Sequence, residues 1–229
     1  MTSLVRRVND AEQMDEAGLD PAVYAAVLAD LAHVNRVTLA HRPTLNFVAR
    51  AIGDRRRFTL LDVGFGQGDM LRAIARWAAR RGVEARLIGV DLNPRSAPAA
   101  RAATPSQAIN YRTGDYRELA GEEIDLIVSS LVAHHMSEGE LRDFLGFMEA
   151  QARLGWMVND LRRARIAHAG FPLLARVMRW HPMVREDGTL SIARSFREED
   201  WRDLLSEAGV HEARIVRRFP FRLCVERIR

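Results

Sequence analysis

The sequence predicts a doubly wound α/β fold, a mainly parallel sheet of seven strands with helices on both faces, preceded by a helical cap. Three observations predict it. From residue 58 onward, short apolar runs alternate with segments of helical period. A glycine-rich turn, Gly64-Phe65-Gly66-Gln67-Gly68, joins the first such run to the first such segment. No internal repeat and no low-complexity linker interrupts the alternation, and 229 residues suit one domain with a modest appendage.

The elements follow in order. Residues 21–52 read as two amphipathic helices. Pro21 stands at a plausible first helical position after Asp20, with Tyr24, Leu28, Leu31, Val34 and Asn35 at helical spacing, and Pro43 opens the second run. Residues 58–63 form a buried strand, 67–81 a helix with Met70, Leu71, Ile74 and Trp77 on one face, and 85–91 a second strand. A helix over 95–103 and a strand over 109–113 come next, then strand 123–130, helix 137–152 and strand 154–159. Residues 162–179 are helical, bent or divided at Pro172, and 180–196 have no clear period. A helix over 197–208 is closed by Gly209. Segments 211–217 and 221–228 are strands paired as a hairpin around Pro220. The expected division is a helical cap over 1–53 and a main domain over 54–229 with a lid insertion at about 165–196.

Composition narrows the partners. The chain is 48% hydrophobic and 28% charged, an ordinary globular mix. No apolar run reaches membrane-spanning length, and the N-terminus has no apolar core of a signal peptide. The single cysteine, Cys224, cannot form an internal disulfide, which fits a reducing cytoplasm. The isoelectric point of about 10.1 suggests nucleic acid. Net charge is only +4, however, and all 34 basic residues are arginine. With no lysine to titrate near pH 10, a small arginine excess raises the isoelectric point without a strong field at neutral pH. The arginine clusters are scattered among acids and read as solvated faces.

Ligands of such sheets bind at the carboxyl ends of the strands. A phosphate-binding P-loop needs a lysine, and this chain has none. A dinucleotide fingerprint needs glycine at its sixth position, where Asp69 would sit beside a pyrophosphate. What stands here is G-x-G-x-G with Asp62 two residues ahead. Asp91 ends the second strand 23 residues after Gly68, placed to accept from both ribose hydroxyls of an adenosine ligand.

In these residues the sequence resembles the class I S-adenosylmethionine-dependent methyltransferases, most firmly over 58–135, and within them the ubiquinone and menaquinone biosynthesis type. The resemblance implies a Rossmann-like sheet whose last strand is antiparallel. It implies S-adenosylmethionine as cofactor, leaving S-adenosylhomocysteine, bound by Asp62, Gly64, Phe65, Gly66, Gly68, Asp91, Leu92, Asp115, Tyr116 and Ser130. Asp115 would reach the adenine amino group, or simply cap a turn. Asp125 matches the acid early in the fourth strand.

His134 and His135 follow the fourth strand, where the methyl group should point. One of them is expected as general base or acceptor-positioning group, with His135 ahead; the alternative is that one caps the next helix and the other packs. Asp160, at the end of the fifth strand, is the second candidate, as partner of acceptor or base. No metal is expected, because Ser129-Ser130 supplies no matching acid for a cation site. Arg36 and His41 lie on helices that would close over the cofactor carboxylate.

Phe171, Met178, Trp180, Met183 and Phe196 form a lid-like apolar set, pointing to an aromatic or lipid-like small molecule. The expected activity is methyl transfer to a phenol, quinol or polyketide-like acceptor, on oxygen or alternatively on ring carbon. An NAD-dependent oxidoreductase and a non-catalytic adenosine-binding protein are the readings from other classes. No nucleic-acid partner is expected.

Overall fold

The computed structural model of the chain describes residues 4, 6–16, 18–104 and 108–229. Residues 1–3, 5 and 17 of the expected cap lie outside this range.

Two helices lead the chain, α1 (Pro21–Val37) and α2 (His41–Ile52). The Asp20 side chain accepts from the N–H groups of Ala22 and Val23, and Pro21 needs no partner for a missing N–H. The alternation then runs β1 (Arg57–Val63), α3 (Asp69–Arg81), β2 (Glu84–Asp91), α4 (Ser96–Ala102), β3 (Ile109–Thr113), β4 (Ile124–Ser130), α5 (Glu138–Gln151) and β5 (Ala152–Leu161). It closes with α6 (Arg165–Val177), α7 (Pro182–Arg194), α8 (Glu198–Glu207), β6 (Arg214–Arg218) and β7 (Arg222–Ile228).

The seven strands form one sheet in the order β3-β2-β1-β4-β5-β7-β6. Strands β1 to β5 pair in parallel, β7 pairs antiparallel with β5, and β6 pairs antiparallel with β7. Strand order reverses between β1 and β4, where Val63 stands beside Ser129. The crevice of a doubly wound sheet opens at that point.

Helices cover both faces. On one, Phe47 and Val48 of α2 pack with Leu71, Ile74 and Trp77 of α3 over Leu60, Leu126 and Met157. On the other, Phe144 and Met148 of α5 and Trp201 of α8 pack over Leu61, Ile127 and Trp156. A third cluster lies outside the sheet, where Val27 and Val34 of α1 meet Ala175 of α6, Trp180 and Val184.

The helix ends carry the expected chemistry. Ser137 and Glu140 form a capping box at the start of α5. Helix α3 ends at Gly82 in the left-handed region (φ 62°), with Arg80 and Arg81 in its last turn.

Element ends shift by a few residues from the sequence reading, and α6 runs unbroken through Pro172; two differences have a clear physical reason. Helix α3 starts at Asp69, because Gly64, Gly66 and Gly68 all hold positive φ and keep the preceding turn out of the helix. The larger difference is α7, a full helix where residues 180–196 show no apolar period. Its buried side includes Asp187, Ser191 and Arg194 beside Val184 and Ile192. Those polar groups are buried because they meet the N-terminal segment. Asp187 accepts from the N–H groups of Gln13 and Met14, and the Ser191 hydroxyl donates to Glu12 at 2.7 Å.

Among the described residues no helix is long and apolar enough to cross a membrane.

Candidate active site

The carboxyl ends of β1, β2, β4 and β5, roofed by α1, α6 and α7, enclose a cavity of about 660 Å³. One end is polar and lies on the glycine turn. The other is apolar and lies under α6 and α7.

At the polar end, Gly64, Phe65, Gly66, Asp91, Leu92, Gly114, Tyr116 and Ser130 line the wall. Asp91 accepts from the N–H of Gly66 at 2.9 Å and from that of Asn93 at 2.9 Å. It thus fixes the turn it faces. A side chain on Gly66 would point toward Leu28 of α1, at 3.7 Å, across the cavity. Gly68 backs onto the Tyr111 hydroxyl. The Phe65 ring packs inward, 4.9 Å from that of Tyr111, so its backbone is what the cavity meets. Leu92 is 74% exposed at the rim.

Asp62, Asp115 and Asp125 are among the expected residues that sit apart from direct lining. Asp62 is buried beneath the turn, and neither of its oxygens finds a hydrogen-bond partner among the described residues. Burial, with the nearby charges of Asp69 and Asp91, pushes its carboxyl well above the usual range. Asp115 caps a short turn, accepting from the Arg117 N–H at 2.8 Å and from its guanidinium at 3.0 Å. Asp125 accepts from the Thr59 N–H at 2.8 Å, at the opposite end of the sheet. Tyr116 lines the cavity while its ring packs 4.9 Å from both Phe144 and Phe147.

The cap reaches the turn through Asp69. Its carboxylate accepts from Asn35 Nδ2 at 3.1 Å and lies 2.7 Å from His41 Nε2. Asn35 lines the cavity, whereas its neighbour Arg36 is exposed and does not. His41 faces Asp69.

At the middle of the cavity stand His134 and His135, ring centroids 4.3 Å apart. His134 is fully enclosed. Its Nδ1 lies 2.8 Å from Asp160 Oδ1, and its backbone N–H donates to Asp160 Oδ2 at 2.9 Å. Its Nε2 faces Glu12 Oε1 at 3.6 Å. Burial works to lower the His134 pKa, but the two carboxylates more than offset it and raise it to about 9. His134 is therefore an imidazolium at neutral pH, held between Asp160 and Glu12. His135 is the more accessible of the two, and its Nε2 lies 3.7 Å from Glu12 Oε2.

Glu12 escaped the sequence reading. It comes from the N-terminal segment and is 4% exposed. Burial raises its pKa, but His134, His135 and Ser191 outweigh that and hold it low, so it is an anion. Glu12, His134 and His135 are close enough to share a cation. The Arg194 guanidinium, 3.6 Å from Glu12 Oε1, and the Ser191 hydroxyl already supply positive charge and a donor to that carboxylate. Those two neighbours compete with a metal for it.

The apolar end is walled by Leu28 and Leu31 of α1, Ile166, Phe171 and Leu174 of α6, and Val184 and Ile192 of α7. Of the aromatic residues expected to form a lid, Phe171 lines the cavity. Trp180 packs behind it, ring centroids 6.1 Å apart, and Phe196 packs on Trp201 in the core.

Residues 60–155 match a family described as a methyltransferase domain. The chain is 33% identical over 110 residues to a probable fatty acid methyltransferase of Mycobacterium tuberculosis, covering 46% of this chain and 23% of that protein. Among solved structures, human N-acetylserotonin methyltransferase in complex with S-adenosylmethionine superposes with a TM-score of 0.63. That match is 15% identical, over 90% of this chain and 56% of that one. The fold is that of the class I S-adenosylmethionine-dependent methyltransferases. A methyltransferase from Aquifex aeolicus, TM-score 0.63 and 17% identity, shares it over 91% of this chain and 97% of its own. The chain spans about a quarter of its curated relative and just over half of the human structure.

Proposed function

We propose that the chain transfers a methyl group from S-adenosylmethionine to oxygen of a small aromatic acceptor, a phenol, quinol or polyketide-like compound. The observation that carries this is the continuity of one cavity, in which the glycine turn and Asp91 share a single room with His135 and an apolar chamber. Donor and acceptor sites with no wall between them are what in-line transfer requires.

The residues suit the donor. Asp91 lines the cavity where ribose hydroxyls would donate to it, and the Asp69 and Asp91 carboxylates at that end favour a cationic ligand over a phosphate. Gly64, Phe65, Gly66 and Gly68 would hold the amino-acid end through backbone, with Ser130 across the cleft. Leu92 and Tyr116 would flank the adenosine, and Asp115 would reach the adenine edge only by leaving Arg117. Asp62 would act from beneath the turn. When bound, the sulfonium supplies a carbon already activated for displacement.

The chain's own contribution is to orient the acceptor, exclude water and take a proton. His135 is the general base in this reading. A base must start neutral, and His134 is already protonated, so His134 and Asp160 serve as positioning residues behind it. Helices α1 and α2 would be the cap, and α6 with α7 the lid over the acceptor. Carbon methylation of an aromatic ring uses the same room and is the second reading. The M. tuberculosis relative supports an amphiphilic acceptor, and so does the apolar chamber.

Calorimetry with S-adenosylmethionine, S-adenosylhomocysteine and NAD tests the donor. Micromolar binding of the first two and none of NAD is expected; the reverse would overturn the reading. Phenolic and long-chain resorcinolic acceptors, assayed by mass spectrometry for a gain of one methyl group, test the transfer.

A further inference from the structure

The outer face of α6 is apolar and open. Ile166, Leu173 and Val177 are 74%, 67% and 70% exposed. They fall at i, i+7 and i+11, so they stand on one stripe of the helix, with Gly170 between them. Isolated exposed leucines need no explanation, but a stripe running the length of a helix does. A fourth exposed residue, Phe219 at 82%, lies in the β6–β7 turn. That turn meets the start of α6, where the Arg162 N–H donates to Phe221 O at 2.9 Å.

The stretch of chain that carries this stripe has charge of one sign. Between residues 161 and 185 there is no acidic residue. Arg165, Arg176 and Arg179 are exposed, and none has an ion-pair partner among the described residues. An apolar stripe edged by cations, on a helix lying flat on the molecule, has the chemistry of a helix that rests in a bilayer interface. A second copy of the chain would bring the same uncompensated arginines face to face. An anionic lipid surface supplies both what the stripe and what the arginines lack.

The position gives the surface a purpose. Ile166 and Gly170 line the cavity as well as the stripe, and Pro220 and Phe221 line it beside Phe219. The stripe is thus the outer edge of the cavity mouth at its apolar end.

We propose that α6 and the β6–β7 turn dock the protein on anionic bilayers, so that an amphiphilic acceptor passes from the lipid directly into the apolar chamber. The acceptor half of this rests on the methyltransferase reading; the docking half does not. Sedimentation of the full chain with large vesicles separates them. Vesicles of phosphatidylglycerol mixed with phosphatidylcholine should carry down the protein at low salt. Pure phosphatidylcholine should carry down far less, and high salt should release what binds. Leu173→Glu/Val177→Glu, outside the cavity lining, should lower the partition coefficient at least tenfold while leaving S-adenosylmethionine affinity and the melting temperature unchanged. Arg165→Gln and Arg176→Gln should each lower it about fivefold on anionic vesicles. Equal, weak sedimentation of wild type and the double variant would overturn the proposal. So would a monomer–dimer equilibrium in ultracentrifugation that the double variant abolishes without any vesicle binding. Vesicle binding without methyl transfer would leave docking standing and remove the activity.

Discussion

One carboxylate, that of Asp160, grips His134 twice: 2.8 Å from the ring Nδ1 and 2.9 Å from the backbone N–H. Strand β5 thereby fixes a residue that follows β4 and lines the cavity. The ring cannot turn without losing a buried partner.

This grip makes stability depend on pH. The His134 pKa is about 9 in the fold against 6.5 for the free side chain. Folding therefore favours the protonated ring. That contribution is full below about pH 6.5 and is lost as pH rises through 9. Urea unfolding should show stability falling between those limits by about 3 kcal/mol. Asp160→Asn should flatten the slope and destabilise the fold by about 3 kcal/mol at neutral pH, since it strands a buried imidazole. A pH-independent difference between the two proteins would contradict the assignment.

His135 and Glu12 are expected to separate in kinetics. His135→Gln should lower kcat by about 100-fold or more with little change in S-adenosylmethionine affinity. Glu12→Gln should lower kcat with KM for the acceptor nearly unchanged, and Glu12→Asp should restore part of it, as expected of a residue that positions a base. A loss confined to the melting temperature, with kcat intact in the folded fraction, would leave Glu12 a purely structural group.

Asp91→Ala should weaken S-adenosylmethionine binding by roughly 10- to 100-fold, the worth of hydrogen bonds to a charged acceptor. Asp91→Asn should lose less, because it can still accept from Gly66. Calorimetry reads both; equal affinities for wild type and Asp91→Ala would remove the ribose role.

Asp62 couples stability to pH in the same sense as His134, but from a lower starting pH. Its folded pKa is raised, so folding favours the neutral acid. Above the free value near ~3.9 the unfolded chain releases that proton more readily, and stability falls as pH rises. Asp62→Asn has no proton to release. The variant should gain on the wild type as pH increases from about 4, and denaturant midpoints measured at pH 5 and pH 8 test it. A constant gap between the two would count against a neutral Asp62.

The legible part of this molecule was local in sequence. The glycine turn, Asp91 and the two histidines each sit within a few residues of a strand end, and the period of the strand says where that end is. The seven strands followed from the same alternation, but their order in the sheet did not. Glu12 was not legible, because its partners lie more than 120 residues away and an acid in a polar N-terminal stretch has no period. Helix α7 was missed for a related reason. Apolar spacing finds a helix whose buried face is apolar, and this one buries Asp187, Ser191 and Arg194. Those three fall at i, i+4 and i+7, so a polar stripe at helical spacing was the signal available.

The ties between cap and sheet also bear on how such proteins can be recombined. Asn35 and His41 hold Asp69 at the glycine turn, and Asn159 Nδ2 donates to Ala40 O at 2.8 Å and to Thr44 Oγ1 at 3.0 Å. The leading helices are thus keyed to two positions 90 residues apart, one at the start of α3 and one in β5. A chimaera that takes its first 53 residues from another source would inherit a lock without its key. It would need Asp69 and Asn159 exchanged in the same step, and the unit to transplant is the pair of helices together with those two residues.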